Sequence, residues 1–134
     1  MRAVLPLILL ALTACASVHT GQPWLTSVVD DAADQKKPLI VEFYATWCGP
    51  CKHFEAHILP DPRVQAALAD VMFVRYDVGT PTGQDAFARC HASAMPTFVG
   101  IDHDGNVRLF KAGTEQTAEE FLAFIAQAKR TLRP

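Results

Sequence analysis

Two cysteines in a C-x-x-C spacing are the residues of this chain best suited to chemistry. They lie in the segment Trp47-Cys48-Gly49-Pro50-Cys51, between an apolar run that predicts a strand and a stretch that predicts a helix. At a helix N-terminus, unpaired N–H groups and the helix dipole favour an anion, so Cys48 is predicted to be the nucleophilic thiolate. Cys51 follows one helical turn later, within reach of Cys48, and could resolve a mixed disulfide. Pro50 fits the first helical turn, where no N–H is needed, and stiffens it.

The same spacing has other interpretations. A C-x-x-C pair could be half of a zinc site, but the chain has four cysteines and no second pair to complete it. His53 and His57, which would share a helix face, are the nearest additional donors. The pair could also be a purely structural disulfide. We favour redox chemistry and expect no metal site, and keep a copper-delivery or assembly module that binds through both thiols as an alternative.

Length and charge limit what surrounds the cysteines. The chain has 134 residues, 50% hydrophobic and 19% charged, which is typical of one packed domain. Lys and Arg number 12 and Asp and Glu 14, giving a formal net charge of −2. Nucleic-acid binding is not expected, because it needs many cations to neutralise phosphates. Four cysteines are too few for a small disulfide scaffold.

The pattern around the cysteines alternates between strand and helix. Helices are predicted at residues 24–37, 50–59, 63–70 and 84–91 and after Thr117, and strands at 39–44, 71–78, 97–101 and 107–111. Residues 79–83 are predicted to be a loop and residues 102–106, with an Asp-Gly signal, a hairpin turn. Strand–helix units followed by a hairpin and a closing helix indicate an α/β fold, a mixed sheet with helices on both faces.

The C-x-x-C segment and its surroundings resemble thioredoxin. The FYAT segment at 43–46 precedes the cysteines as in the family's F-x-A-x-W-C pattern, and Met95-Pro96-Thr97 matches the family's X-Pro-Thr loop. The segments CKHFE at 51–55 and DPRVQ at 61–65 are similar to the C-terminal periplasmic domain of the transmembrane reductase DsbD. The resemblance covers roughly residues 24–132 and implies a thioredoxin fold, a central mixed β-sheet flanked by helices on both faces.

Glu42 lies six residues before Cys48, where the family has a buried carboxylate. Burial raises the pKa of a carboxyl, which suits a base that deprotonates Cys51. The alternative is an exposed Glu at a strand edge with no role. Family members often place a Lys near this carboxylate, whereas this chain has Phe73 and Arg75 on the corresponding strand. Glu42 is therefore expected to lack a cationic partner and to be shifted more strongly.

The resemblance also implies a surface for an extended substrate. Pro96 would be cis and face the disulfide, and Met95 would offer backbone hydrogen bonds to the substrate strand. Trp47 would flank the nucleophile and, with Gly49 and Pro50, shape the docking surface. Pro96 could instead simply begin a strand, and Trp47 could be a packing residue.

These roles together imply a thiol–disulfide oxidoreductase that reduces protein disulfides. The Gly-Pro pair between the cysteines resembles the reducing members of the family, and no cofactor beyond the Cys48–Cys51 pair is expected. A reductase in an oxidising compartment needs electrons, so a transmembrane donor of the DsbD type is the expected partner. An oxidase or isomerase with the same residues is the nearer alternative, and the protein is expected to be a monomer. Cys90 is predicted to be a buried thiol at a helix end.

The N-terminus predicts export. Residues 1–14 have a charged start and an apolar run shorter than the ~20 residues of a membrane span, as in a signal peptide. Leu12-Thr13-Ala14-Cys15 resembles the lipobox of bacterial lipoproteins, so residues 15–23 would be the lipidated Cys15 and a short tether, and 24–134 the thioredoxin-like domain. Ala16, where some bacteria use Asp for inner-membrane retention, favours a periplasm-facing lipoprotein of the outer membrane. Cleavage at Ala14-Cys15-Ala16 would instead give a soluble periplasmic protein.

Overall fold

The computed structural model of the chain describes residues 23–113 and 116–132. The predicted signal peptide, Cys15 and residues 16–22 of the tether lie outside these described residues. The helices are α1 (Pro23–Asp34), α2 (Gly49–His53), α3 (Pro62–Leu68), α4 (Pro81–Arg89) and α5 (Ala118–Thr131). The strands are β1 (Leu39–Tyr44), β2 (Met72–Asp77), β3 (Thr97–Ile101) and β4 (Val107–Ala112). Helix α2 continues as a short π-helical segment, Phe54–Ile58. None of the helices described is long and apolar enough to cross a membrane.

The four strands form one mixed sheet in the order β2-β1-β3-β4. Strand β1 pairs parallel with β2 and antiparallel with β3, and β3 pairs antiparallel with β4. The parallel pair requires a crossover, which α2, the π-helical segment and α3 supply, whereas β3 and β4 need only the hairpin turn. Gly105 in this turn has a φ of +81°, a conformation that glycine adopts without steric cost. The predicted mixed sheet and hairpin are confirmed.

The central strand β1 is buried on both faces because helices cover both sides of the sheet. Side chains alternate along a strand, so Ile40 and Val41 point to opposite faces. Ile40 lies in the cluster beneath the π-helical segment and α5, where Phe54 and Phe121 pack with ring centroids 4.9 Å apart. Val41 lies in the other cluster, among residues of α1 and α4. The prediction of helices on both faces is confirmed.

Two predicted helix ends are wrong by three residues, and both of these errors have a local cause. Helix α1 stops at Asp34 rather than at residue 37 because Lys36 adopts a left-handed φ of +53°. Helix α4 starts at Pro81 rather than at residue 84, inside the predicted loop. Thr80 caps it, since its hydroxyl accepts a hydrogen bond from the Gly83 N–H at 3.1 Å. Gly83 is therefore a helical residue that packs closely, and not a loop residue.

Gly83→Ala is expected to lower the free energy of unfolding by about 1–3 kcal/mol, because a Cβ there would collide with the backbone carbonyl of Asp77. Gly49→Ala is the matched control, since no heavy atom lies within 4 Å of the Cβ it would add. Urea unfolding of both variants measures the difference. Equal unfolding midpoints would contradict the close packing of α4 on the end of β2.

Candidate redox site

A disulfide joins Cys48 and Cys51 where β1 gives way to α2, with the two Cα atoms 5.3 Å apart. Cys48 is the N-cap residue of α2, and its Sγ accepts a hydrogen bond from the Cys51 backbone N–H at 3.2 Å. This donor and the helix N-terminus favour negative charge on the Cys48 sulfur once the disulfide is reduced. Cys48 is 5% exposed and Cys51 2%, so Cys48 is the cysteine that a substrate sulfur reaches more easily.

The surface around the disulfide combines an exposed aromatic ring with a loop that packs against the cysteines. Trp47 is 70% exposed, an unusual state for so large an apolar side chain. Met95 packs against the cluster that contains both cysteines, and the Met95–Pro96 peptide bond is cis. The Thr97 hydroxyl fixes this loop by donating a hydrogen bond to the carbonyl of Ala94 at 2.6 Å. Met95 thus brings the X-Pro-Thr loop against the cysteines, and Trp47 precedes Cys48 in the chain.

Gly49 and Pro50 form the remaining edge of this surface. Gly49 is exposed with open space around it, and Pro50 is half-buried in the first turn of α2. Neither side chain carries a polar group, so the surface offers an approaching peptide little beyond shape, apolar contact and backbone groups. Such a surface suits an extended segment of variable sequence.

Glu42 is completely buried in β1, on the same sheet face as Ile40 and the helix that carries Cys51. Its Oε2 atom accepts a hydrogen bond from Arg75 Nε at 2.6 Å, and its Oε1 atom has no hydrogen-bond partner among the described residues. Burial raises the pKa of Glu42, and the hydrogen bond and charge of Arg75 offset this only in part. A carboxyl in this state holds a proton more readily than an exposed one, as a base must.

The expectation that Glu42 lacks a cationic partner is wrong. The parallel register of β1 and β2 places Arg75 directly beside Glu42. The same guanidinium donates through Nη1 to Glu55 Oε1 at 3.2 Å and lies 4.4 Å from the centre of the Tyr44 ring. Burial lowers the pKa of Arg75, but the bonds to the two carboxylates outweigh it, so that its pKa is raised and it stays charged. Sequence reasoning named Arg75 and dismissed it, and it missed Glu55, although Glu55 lies one turn beyond Cys51.

Glu42→Gln is expected to change how stability depends on pH. Because the pKa of Glu42 is raised above its ordinary 4.5, the stability linked to its proton is fully present below about pH 4.5 and is lost as the pH rises through the folded-state pKa. Gln keeps the shape of the neutral carboxyl and cannot ionise. The variant should therefore gain stability over the native chain as the pH rises, by at most ~1.4 kcal/mol per pH unit. Urea unfolding from pH 4 to pH 9 measures this, and a pH-independent difference would contradict it.

The remaining candidates for chemistry are a metal-binding group and the third cysteine of the described residues, Cys90. Within residues 23–113 and 116–132 no three His, Cys, Asp or Glu side chains form a group that could hold a metal ion. Cys90 is a buried free thiol at the C-cap of α4, as predicted. Burial raises its pKa to about 11, which keeps it protonated and unreactive.

Comparison with known proteins identifies relatives of both the sequence and the fold. A family model described as thioredoxin-like matches residues 20–102. The mitochondrial thioredoxin-3 of Saccharomyces cerevisiae is 40% identical over 106 residues, which cover 78% of this chain and 79% of that protein. The thiol:disulfide interchange protein DsbD of Ralstonia nicotianae is 37% identical over 98 residues, which cover 71% of this chain but 16% of DsbD. The chain thus corresponds to a small part of that larger protein.

Solved structures with a similar fold also include a thioredoxin and a domain of DsbD. The oxidised C-terminal domain of DsbD from Neisseria meningitidis superposes with a TM-score of 0.65 at 26% identity, covering 76% of this chain and 90% of that domain. The oxidised form of yeast mitochondrial thioredoxin-3 superposes with a TM-score of 0.56 at 31% identity, covering 75% and 89%.

Proposed function

The chain belongs to the thioredoxin-like family of thiol–disulfide oxidoreductases, and from that premise we propose that it reduces protein disulfides at the bacterial cell envelope. The observation that carries the proposal is the position of Cys48. It caps α2, receives a hydrogen bond from the Cys51 N–H, and lies beside an exposed Trp47. A nucleophilic sulfur, a resolving sulfur one turn away and an apolar docking surface are the parts that disulfide exchange requires.

In the proposed reaction, the Cys48 thiolate attacks one sulfur of a substrate disulfide. A mixed disulfide forms, and the second substrate sulfur leaves as a thiolate. Cys51 then loses its proton to Glu42 and attacks the Cys48 sulfur, which releases the second substrate thiol and leaves Cys48 and Cys51 joined. Two electrons pass from the protein to the substrate, so no further cofactor takes part. The cis bond at Pro96 presents the backbone of Met95 to the bound substrate strand.

The direction of electron flow is proposed from the Gly49-Pro50 pair and from the likeness to DsbD. Gly-Pro between the cysteines resembles the reducing members of the family. Each turnover oxidises the Cys48–Cys51 pair, which must be reduced again before the next. We propose a transmembrane dithiol of the DsbD type as the electron donor, and protein disulfides as the substrates. The protein acts as a monomer in this scheme.

The location is proposed from the N-terminal sequence. A lipid on Cys15 would hold the domain at the periplasmic side of the outer membrane, and cleavage without lipidation would release it into the periplasm. Membrane fractionation of cells that carry Cys15→Ser tests the anchor. Transfer of the protein from the membrane to the soluble fraction is expected, and an unchanged distribution would contradict the anchor.

The redox state of Cys48 and Cys51 in cells tests the reductase proposal. Alkylation of free thiols should show the pair mostly reduced in cells with a DsbD-type donor and mostly oxidised in cells without one. Cys90→Ala supplies the matched background, because it removes the thiol that would otherwise be counted with the pair. A reduced fraction that does not change when the donor is removed would contradict the proposal.

A further inference from the structure

Two histidines form a pair on the surface of the helix that follows the redox cysteines. His53 is the last residue of α2, and His57 lies one turn later in the π-helical segment. Both side chains are exposed, and their rings stack with centroids 4.6 Å apart and planes inclined by 26°. Cys51 and Phe54, by contrast, point into the protein. The pair therefore lies apart from the disulfide, and the redox reaction does not use it.

One hydrogen bond fixes which nitrogen of His57 is available. The Nδ1 atom of His57 lies 3.1 Å from the backbone carbonyl oxygen of His53. A carbonyl only accepts, so Nδ1 carries the hydrogen and Nε2 keeps its lone pair facing outward. Histidines that bind metals usually have their second ring nitrogen held in this way by a carbonyl or carboxylate. This hydrogen bond thus favours the tautomer of His57 that can bind a metal ion through Nε2.

One of the two stacked rings must turn before both can bind the same metal ion. Metal–nitrogen bonds are about 2.0–2.1 Å, so two nitrogens bound to one ion lie at most ~4.2 Å apart. The ring centroids of His53 and His57 lie 4.6 Å apart on one helix face, so turning one ring toward the other can bring a nitrogen of each within that limit. His53 is exposed, so its ring can rotate about the Cβ–Cγ bond and turn a nitrogen toward His57 while the hydrogen bond of His57 stays in place. No third His, Cys, Asp or Glu joins the pair in the described part of the chain, so water would fill the remaining positions.

We propose that His53 and His57 bind one divalent ion of the late first transition series through a ring nitrogen of each. Imidazole nitrogens with open water positions suit Cu²⁺, Ni²⁺ and Zn²⁺, and Cu²⁺ binds most tightly in the order these ions follow. This site differs from copper binding by the C-x-x-C thiols, because it exists while those cysteines are joined as a disulfide. Imidazole must be deprotonated to bind, so affinity falls as the pH falls.

Titration with Cu²⁺ of the full chain in its disulfide form, carrying Cys15→Ser in every variant so that no thiol of Cys15 is present, tests the site. The joined cysteines cannot bind or reduce the ion, and Cys90 is buried. We expect one tightly bound ion per chain, with two nitrogens in the Cu²⁺ plane by electron paramagnetic resonance. His53→Gln and His57→Gln should each weaken Cu²⁺ binding at least about tenfold, because each leaves only one imidazole to hold the ion. Gln is a good helix former, so both variants should fold.

His91→Gln and His103→Gln are the matched controls, since both histidines are exposed and neither has an imidazole neighbour among the described residues. They should leave Cu²⁺ affinity unchanged. His19 is present in every variant, so any Cu²⁺ that it binds is the same in all of them and does not affect the comparison. Disulfide reduction by metal-free His57→Gln should equal that of the native chain. Equal Cu²⁺ affinity of the native chain and the double variant His53→Gln/His57→Gln would overturn the proposal, as would a tenfold loss in either control.

Discussion

Cys48→Ser is expected to abolish disulfide reduction, lowering turnover at least about a thousandfold, because Cys51, the thiol that remains at the site, is buried. Cys51→Ser should behave differently. It retains the attacking sulfur at the N-terminus of α2 but cannot resolve the product, so a covalent adduct with a disulfide peptide should accumulate. Reduction of a peptide disulfide measures turnover, and intact mass measures the adduct.

Cys90→Ala is the matched control for both cysteine variants. It removes a thiol that is buried in the other core cluster and that burial keeps protonated. Turnover should stay within about twofold of the native value, because the substitution changes packing away from the disulfide. An adduct that accumulates with Cys48→Ser rather than Cys51→Ser would reverse the roles assigned to the two cysteines.

Glu42→Gln is expected to slow the second chemical step about 100-fold, a typical contribution of a positioned base, and to leave the first attack by Cys48 unchanged. The reason is that Gln keeps the hydrogen bond to Arg75 but cannot accept a proton from Cys51. Rapid-mixing kinetics with a disulfide peptide separate formation of the mixed disulfide from its resolution. Equal slowing of both steps would indicate a structural role for Glu42 instead.

The charged neighbours of Glu42 should shift the pH profile of this step in opposite directions. Arg75 lowers the pKa of Glu42 and Glu55 raises it, so Arg75→Gln should move the profile to higher pH and Glu55→Gln to lower pH. Both substitutions break the ion pair between Arg75 and Glu55, which are 3.2 Å apart, so the loss of that pair is common to the two variants, whereas Arg75→Gln also removes the bond to Glu42. Shifts in the same direction would contradict the assignment of Glu42 as the base.

The central strands were predictable because their signal is local. Residues 39–44 and 97–101 form apolar runs between clear breaks, and β1 and β3 have these bounds in the structure. The spacing of Thr117 and Glu120 predicts a capping box, and both of its hydrogen bonds are present at the start of α5. The start of α4 was missed, because Gly83 looks like a loop residue until the approach of the Asp77 carbonyl is known.

The cysteines of the site could be found from the sequence, but the surroundings of Glu42 could not. C-x-x-C is a local spacing, whereas the contact between Glu42 and Arg75 depends on the register of two strands 33 residues apart. Glu55 reaches the same guanidinium from a π-helical segment, where the Leu59 N–H bonds to the Phe54 carbonyl at 2.9 Å. Nothing in the sequence of that segment indicates this wider turn. The sequence therefore predicted the paired cysteines and missed the charged groups that surround Glu42.

The equilibrium reduction potential of the Cys48–Cys51 pair tests the account most directly. Equilibration of the purified chain with graded glutathione and dithiothreitol buffers, followed by alkylation and mass measurement, gives the value. We predict a potential near that of thioredoxin, ~−270 mV, as a reductase that depends on a membrane donor requires. A potential near that of DsbA, ~−120 mV, would contradict the account and make the protein an oxidant of thiols.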